Sequence, residues 1–292
     1  MIVIDPVAAQ FICLGLVAAD LIARTYRIQW ILLGLGHRVS FGEAFTLNTF
    51  GDAACALTPL RVGGEPARLA GMLRSRVPPA AAFVAISLEV LAVWPVIVVA
   101  VGWLAWRYAP DWWATMGPDL IGAARRSWPL VLGVTALSLA VWLETRRVTS
   151  PLRHQLRRPI RRALVYWRRM PWWPIIASFP MTFIGLVARV AILPVLTLTL
   201  PHPPPQGAVW FGSFALLYSQ LLLPTPSGAG AVELGFLGGA AGDLGGHERW
   251  LLVAWRMYTN GVGLIIGLAL AGKFYGWEAI RRLVRRSTAE LR

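Results

Sequence analysis

The sequence predicts an all-α polytopic membrane protein: an inverted-topology repeat of about five full spans plus two re-entrant broken helical hairpins. Three observations predict it. Hydrophobic residues make up 57% of the chain and charged residues only 14%, too little polar surface to cover a soluble domain of 292 residues. Several apolar windows reach the roughly 20 residues that cross a bilayer. Two stretches in separate halves carry the same break inside apolar sequence, Thr58-Pro59-Leu60-Arg61-Val62-Gly63-Gly64-Glu65 and Thr225-Pro226-Ser227-Gly228-Ala229-Gly230-Ala231-Val232-Glu233. Pro and Gly interrupt a helix, and an ionisable group at membrane depth is costly, so the repeated combination marks corresponding places of a duplicated unit.

The chain reads as a single transmembrane domain, residues 1–292. Span 2–24 comes first and is read as retained, because no small-residue-terminated leader is visible. Arg24, Arg27 and Arg38 put its end inside and the amino terminus outside. The pieces 41–57 and 65–76, broken by Pro59, Gly63 and Gly64, form a hairpin over 39–78 that enters from the cytoplasmic face and returns. Span 79–106 then runs outward and completes half one, about 1–106. Span 128–145 runs inward and links the halves. Residues 146–169 hold nine Arg and no acid, and make a basic cytoplasmic loop facing anionic headgroups. Half two, about 172–275, repeats the order upside down: span 172–200, hairpin 207–247 and span 248–275. The second hairpin has pieces 207–223 and 231–242, separated by Pro224, Pro226, Gly228 and Gly230. Residues 276–292 are a cytoplasmic tail. Trp103, Trp106, Trp128, Trp172, Trp173, Trp250 and Trp277 sit near span ends, where indoles anchor at the interface.

A net charge of +14 invites nucleic acid as partner. The charge is concentrated in 146–169 and 273–292, which is the pattern of cytoplasmic loops, so no nucleic-acid partner is expected. Cys13 and Cys55 and the four scattered His have no metal-ligand spacing, and neither a metal nor another cofactor is expected. No catalytic set or nucleotide-type glycine loop is present, so the chain reads as a non-enzyme.

The hairpin tips carry the candidate site. Half-helices starting after Gly63-Gly64 and after Gly230 present unpaired N–H groups and a partial positive end. Gly228 and Gly230 allow close backbone approach, and Pro66 suits a first turn. Arg61 and Arg68 add full charges suited to a phosphate. Two readings of Arg61 stand: a headgroup ligand, or a partner neutralised by Glu65 at i, i+4. Glu233 reads as a helix-start carboxylate or as a coupling site. Glu89 and Arg256 occupy corresponding positions of the two halves with opposite sign, which suggests an ion pair between them. Arg189 is a further charge within a span; Asn48 and Asp52 complete a polar interior. Asp20, Arg24 and Arg27 read as headgroup-level residues.

At these motifs the sequence resembles the flippase-like family typified by the transmembrane region of lysylphosphatidylglycerol synthases. The resemblance rests on residues 56–68 and 223–233, with Glu89 and Arg256 also looking like family positions, and extends from about residue 10 to 275. It implies a bacterial or archaeal membrane protein, in bacteria of the cytoplasmic (inner) membrane, that moves lipids, including aminoacylated phospholipids, between leaflets; another phospholipid, a polyprenyl-linked sugar or a hopanoid-type lipid each fits as cargo. It carries over Arg61, Gly63, Gly64, Glu65, Arg68, Pro226, Gly228, Gly230 and Glu233 as site residues. Full synthases bear a soluble aminoacyl-transferring domain after this region and the sequence here ends at Arg292, so lipid synthesis is not expected of it. The expected function is translocation of an anionic or phosphate-bearing lipid, with membrane lipids as partners. Two rivals are an accessory subunit of a larger membrane complex and a small-solute or ion transporter. A membrane-protein partner or a second copy is left open.

Overall fold

The computed structural model describes residues 3–58, 61–108, 161–220, 225–240, 244 and 246–275. The expected span 128–145, the basic loop up to residue 160, Pro59, Pro224 and the tail 276–292 lie outside the described residues. Among those described, every regular element is helical.

Helix α1 (Pro6–Gly34) is set by Asp5, whose Oδ2 accepts the amides of Val7 at 2.9 Å and Ala8 at 3.1 Å, ahead of a proline in the first turn. It runs ten residues beyond the expected end at residue 24. Helix α2 (Phe41–Leu57) starts with a reciprocal cap: Glu43 accepts from the Ser40 amide at 2.9 Å, and Ser40 Oγ accepts from the Glu43 amide at 3.3 Å. After a turn, α3 (Gly64–Arg74) returns along α2. Helix α4 (Pro79–Tyr108) is the longest and carries Pro95 inside it. Residues 161–169 form α5, and α6 (Trp172–Thr197) lies along α1. Helix α7 (Gln206–Ser219) and the short α8 (Ala231–Gly235), which widens into a π-turn over Phe236–Ala240, complete the second broken pair. The final span, expected over 248–275, is built of three helical pieces. It is α9 (Glu248–Arg256), a π-turn over Met257–Gly261, and α10 (Val262–Tyr275).

Among the described residues, four helical stretches are long and apolar enough to cross a membrane: Pro6–Gly34, Pro79–Leu104, Trp172–Thr197 and Glu248–Gly272. Their outer faces bear Phe11, Phe83, Val98, Val99, Trp106 and Trp172, all exposed, as lipid-facing side chains are.

Two apolar clusters grip opposite ends of α1. Cys13, Val17 and Leu21 pack with Ile192 and Leu196 of α6, Val232 and Phe236, and Trp255. Ile28, Ile31 and Leu32 pack with Leu47 of α2, Met72 of α3, and Val84 and Leu88 of α4. Between these clusters α1 presents Asp20, Arg24 and Arg27. A polar layer therefore crosses the bundle between two dry cores. Glycine lets the backbones close around it: a Cβ on Gly51 would meet the Arg68 side chain at 2.5 Å.

Candidate functional site

The two broken motifs share one hydrogen-bonded step, three residues after each Thr. In the first, Thr58 ends α2; its hydroxyl donates to the Ala54 carbonyl at 2.7 Å and accepts the Gly63 amide at 2.9 Å. The Arg61 amide reaches back to the Thr58 carbonyl at 3.3 Å, and Arg61 sits in the left-handed region at φ 56. In the second, the Gly228 amide reaches the Thr225 carbonyl at 3.0 Å with φ 68. Counted from each Thr, Arg61 and Gly228 occupy the same step. Glycine takes that conformation freely, whereas arginine takes it against steric strain of about 1–2 kcal/mol. The second turn touches the end of α2: Ser227 Oγ donates to the Ala56 carbonyl at 3.4 Å.

Glu233 has the helix-start role proposed for it, accepting the Gly230 amide at 2.6 Å and pairing with Arg256 at 2.6 Å. Arg256 also donates to the Ser227 carbonyl at 2.9 Å, so the pair ties the second turn to α9. The expected Glu89–Arg256 pair does not form. Glu89, 2% exposed, lies instead against Arg27 at 3.0 Å and against Arg68. Corresponding positions in two halves need not be neighbours once α1 lies between them.

Asp20, Arg24 and Arg27, expected as headgroup-level residues, lie inside the bundle: Asp20 and Arg27 are buried and Arg24 is nearly so. Asp20 pairs with Arg24 at 2.9 Å, one helical turn along α1, and with Arg189 of α6 at 2.7 Å. Asp52 of α2 holds Arg24 at 2.7 Å and stands 3.8 Å from Arg189. Arg27 donates to Thr182 at 3.0 Å, and Arg68 to Asn48 at 2.7 Å. Glu65 does not neutralise Arg61; it is half exposed and stands 3.6 Å from Arg68. Arg61 points elsewhere. Its Nη1 donates to Gln220 at 3.1 Å and Asn260 at 3.4 Å, both neutral amides.

Asp20, Arg24, Asp52, Arg61, Arg189 and Asn260 line a small enclosed cavity. Its free space, about 10 Å³, is roughly enough for one water. The layer sets five arginines (Arg24, Arg27, Arg61, Arg68 and Arg189) against Asp20, Asp52, Glu89 and the half-exposed Glu65, and among these five Arg61 is the one whose side chain is held by amides. A positive charge with no carboxylate in direct contact, in a low-dielectric setting, favours an anion. Of the expected site residues, Arg61 faces the cavity, Arg68 is committed to Glu89 and Asn48, and Gly63 and Gly64 serve close packing. A Cβ on Gly63 would meet Thr58 at 2.6 Å and the Ala54 carbonyl at 3.0 Å. Gly228 is buried within the second turn, and Gly230, at φ 88, sets the start of α8.

Reasoning from sequence missed Gln220, Tyr258 and Asn260. Single polar residues in apolar runs carry no spacing signal, and the π-turn that aims Asn260 is a tertiary outcome. The Asp20/Arg24 spacing of four was a usable signal for a helix-internal pair.

The family model described as the lysylphosphatidylglycerol synthase TM region matches residues 6–267. The chain belongs to this family. No curated protein and no solved structure matches it. Membership and the four apolar helices together make it an integral membrane protein with a membrane-lipid-related role. Among the described residues no group of His, Cys, Asp and Glu could hold a metal ion.

Proposed function

We propose that this chain is a lipid translocase of the flippase type, moving an anionic or phosphate-bearing lipid between leaflets of the bacterial cytoplasmic (inner) membrane. The observation that carries the reading is the buried layer with surplus positive charge, in which the Arg61 side chain is held by amides, beside the contact of the second turn with the end of α2. A phosphate would replace Gln220 and Asn260 as the acceptor of Arg61, and a guanidinium binds it with two parallel donors. The matched turns support an inverted repeat whose hairpins enter from opposite faces and meet near the midplane. Arg38 and Arg76, both exposed on the links around the first hairpin, and the basic stretch 146–169 support a cytoplasmic side for those links, an external amino terminus and a cytoplasmic carboxyl terminus. The cavity is too small for a headgroup as it stands, so the reading requires an opened state, reached by one half rocking on the other. No bond is made or broken in this scheme. Arg68 acts here as the counter-charge that fixes Glu89, and Arg61 as the headgroup ligand.

The test is Arg61→Ala and Arg61→Gly in proteoliposomes with fluorescent phosphatidylglycerol and dithionite quenching. Both variants fold, Arg61→Gly with the turn's strain relieved, and both lose translocation. Normal translocation by either removes Arg61 from the site.

A further inference from the structure

A second opening lies beside the polar layer. Between α1 and the final helix runs an open cleft of about 800 Å³, lined almost wholly by carbon, with Leu14 on one wall and Val253 and Met257 on the other. Arg249 and Trp250 also line it, at the start of α9. Leu14, Val253 and Met257 are exposed, and the volume is of the size that holds a small organic ligand. Tyr258 lines both this cleft and the arginine cavity. Its hydroxyl donates to Gln10 of α1, which also lines the cleft. The same π-turn carries Tyr258 towards α1 and Asn260 to Arg61. Such turns add a residue to the helix and are frequent where function needs a side chain re-aimed.

We propose that this cleft is the lateral portal of the lipid: the acyl chains of one phospholipid lie along Leu14, Val253 and Met257, and the Tyr258–Gln10 contact is the latch between them and the arginine cavity. The assignment of lipid as occupant follows from continuity. An apolar groove and a cationic cavity that share Tyr258 as a lining residue match a molecule with a hydrocarbon part and an anionic part. Because Tyr258 and Asn260 share one turn, release of the latch and release of Arg61 from Asn260 belong to a single movement. The proposal rests on the translocase reading for the headgroup's destination, but binding in the cleft is measured without transport.

The experiment uses the full chain in phosphatidylethanolamine and phosphatidylglycerol vesicles with trace phosphatidylglycerol bearing a diazirine on its acyl chain. After irradiation, labelled peptides are mapped by mass spectrometry. A several-fold excess of label on 10–14 and 250–262 over the exposed α4 residues Val98 and Val99 is expected. Val253→Trp or Leu14→Trp, each filling the cleft from a lipid-exposed position, removes that excess. Tyr258→Phe raises the translocation rate several-fold by breaking the latch. Even labelling of α4 and the cleft overturns the portal. So do disulfide-linked dimers of Val253→Cys in unirradiated vesicles, which would make a second copy the occupant. Labelling of the cleft by a chain that translocates nothing keeps the portal and overturns the translocase reading instead.

Discussion

Glu89 is the residue on which the polar layer most depends for stability. Its side chain is 3% exposed and lies against two arginines, Arg27 and Arg68, that come from α1 and α3. Glu89→Gln keeps the shape and removes the charge, leaving Arg27 without its carboxylate and Arg68 with only the half-exposed Glu65 at 3.6 Å. Breaking a buried pair from one side costs about 3–5 kcal/mol. Arg27 keeps Thr182 and Arg68 keeps Asn48, and these bonds hold the loss near the lower end, about 3 kcal/mol. For a chain of this size that is a fall in Tm of about 6–12 °C. Glu65→Gln is the internal control. Its side chain is 49% exposed and 3.6 Å from Arg68, so its removal costs about 1 kcal/mol at most. The assay is the monodisperse fraction of detergent-solubilised protein after heating, followed by size-exclusion fluorescence. If the two variants melt together, within error of the unmodified chain, the layer is not held by buried charge pairing and the energetic account fails.

Gly63→Ala places a methyl 2.6 Å from Thr58 and 3.0 Å from a carbonyl, and is expected to lower stability by about 1–3 kcal/mol. Gly15→Ala, with nothing within 4 Å, leaves the melting curve unshifted or slightly raised; equal losses at both would show that the first turn is not close-packed. Val62→Cys and Ala229→Cys, in a background with Cys13 and Cys55 replaced, test the midplane placement of the turns. Both are expected to resist a membrane-impermeant maleimide added from either side, and rapid labelling of either from bulk water sinks the opposed-hairpin arrangement.

Much of the fold was legible because hydropathy and helix punctuation act along the chain. The ends of α2 at Leu57, of α4 at Tyr108 and of α6 at Thr197 lie within a few residues of expectation, and Gly63 and Gly230 stand where α3 and α8 begin. Each boundary follows from a proline, a glycine or a capping side chain within one turn of it. The end of α1 was misjudged for a related reason: Arg24 and Arg27 look like flanking charges when the chain is read alone. Inside the bundle they meet Asp20, Asp52 and Glu89, and the helix continues through them to Gly34.

Residue order was therefore sufficient for the membrane character, the broken helical pairs and the residues at their turns, since these depend on neighbours a few positions away. Which carboxylate answers which arginine, that Arg61 rests on Gln220 and Asn260, and that Tyr258 stands between two cavities, depended on how the helices stack. A buried charge binds the partner that packing brings within about 4 Å, whatever their separation along the chain.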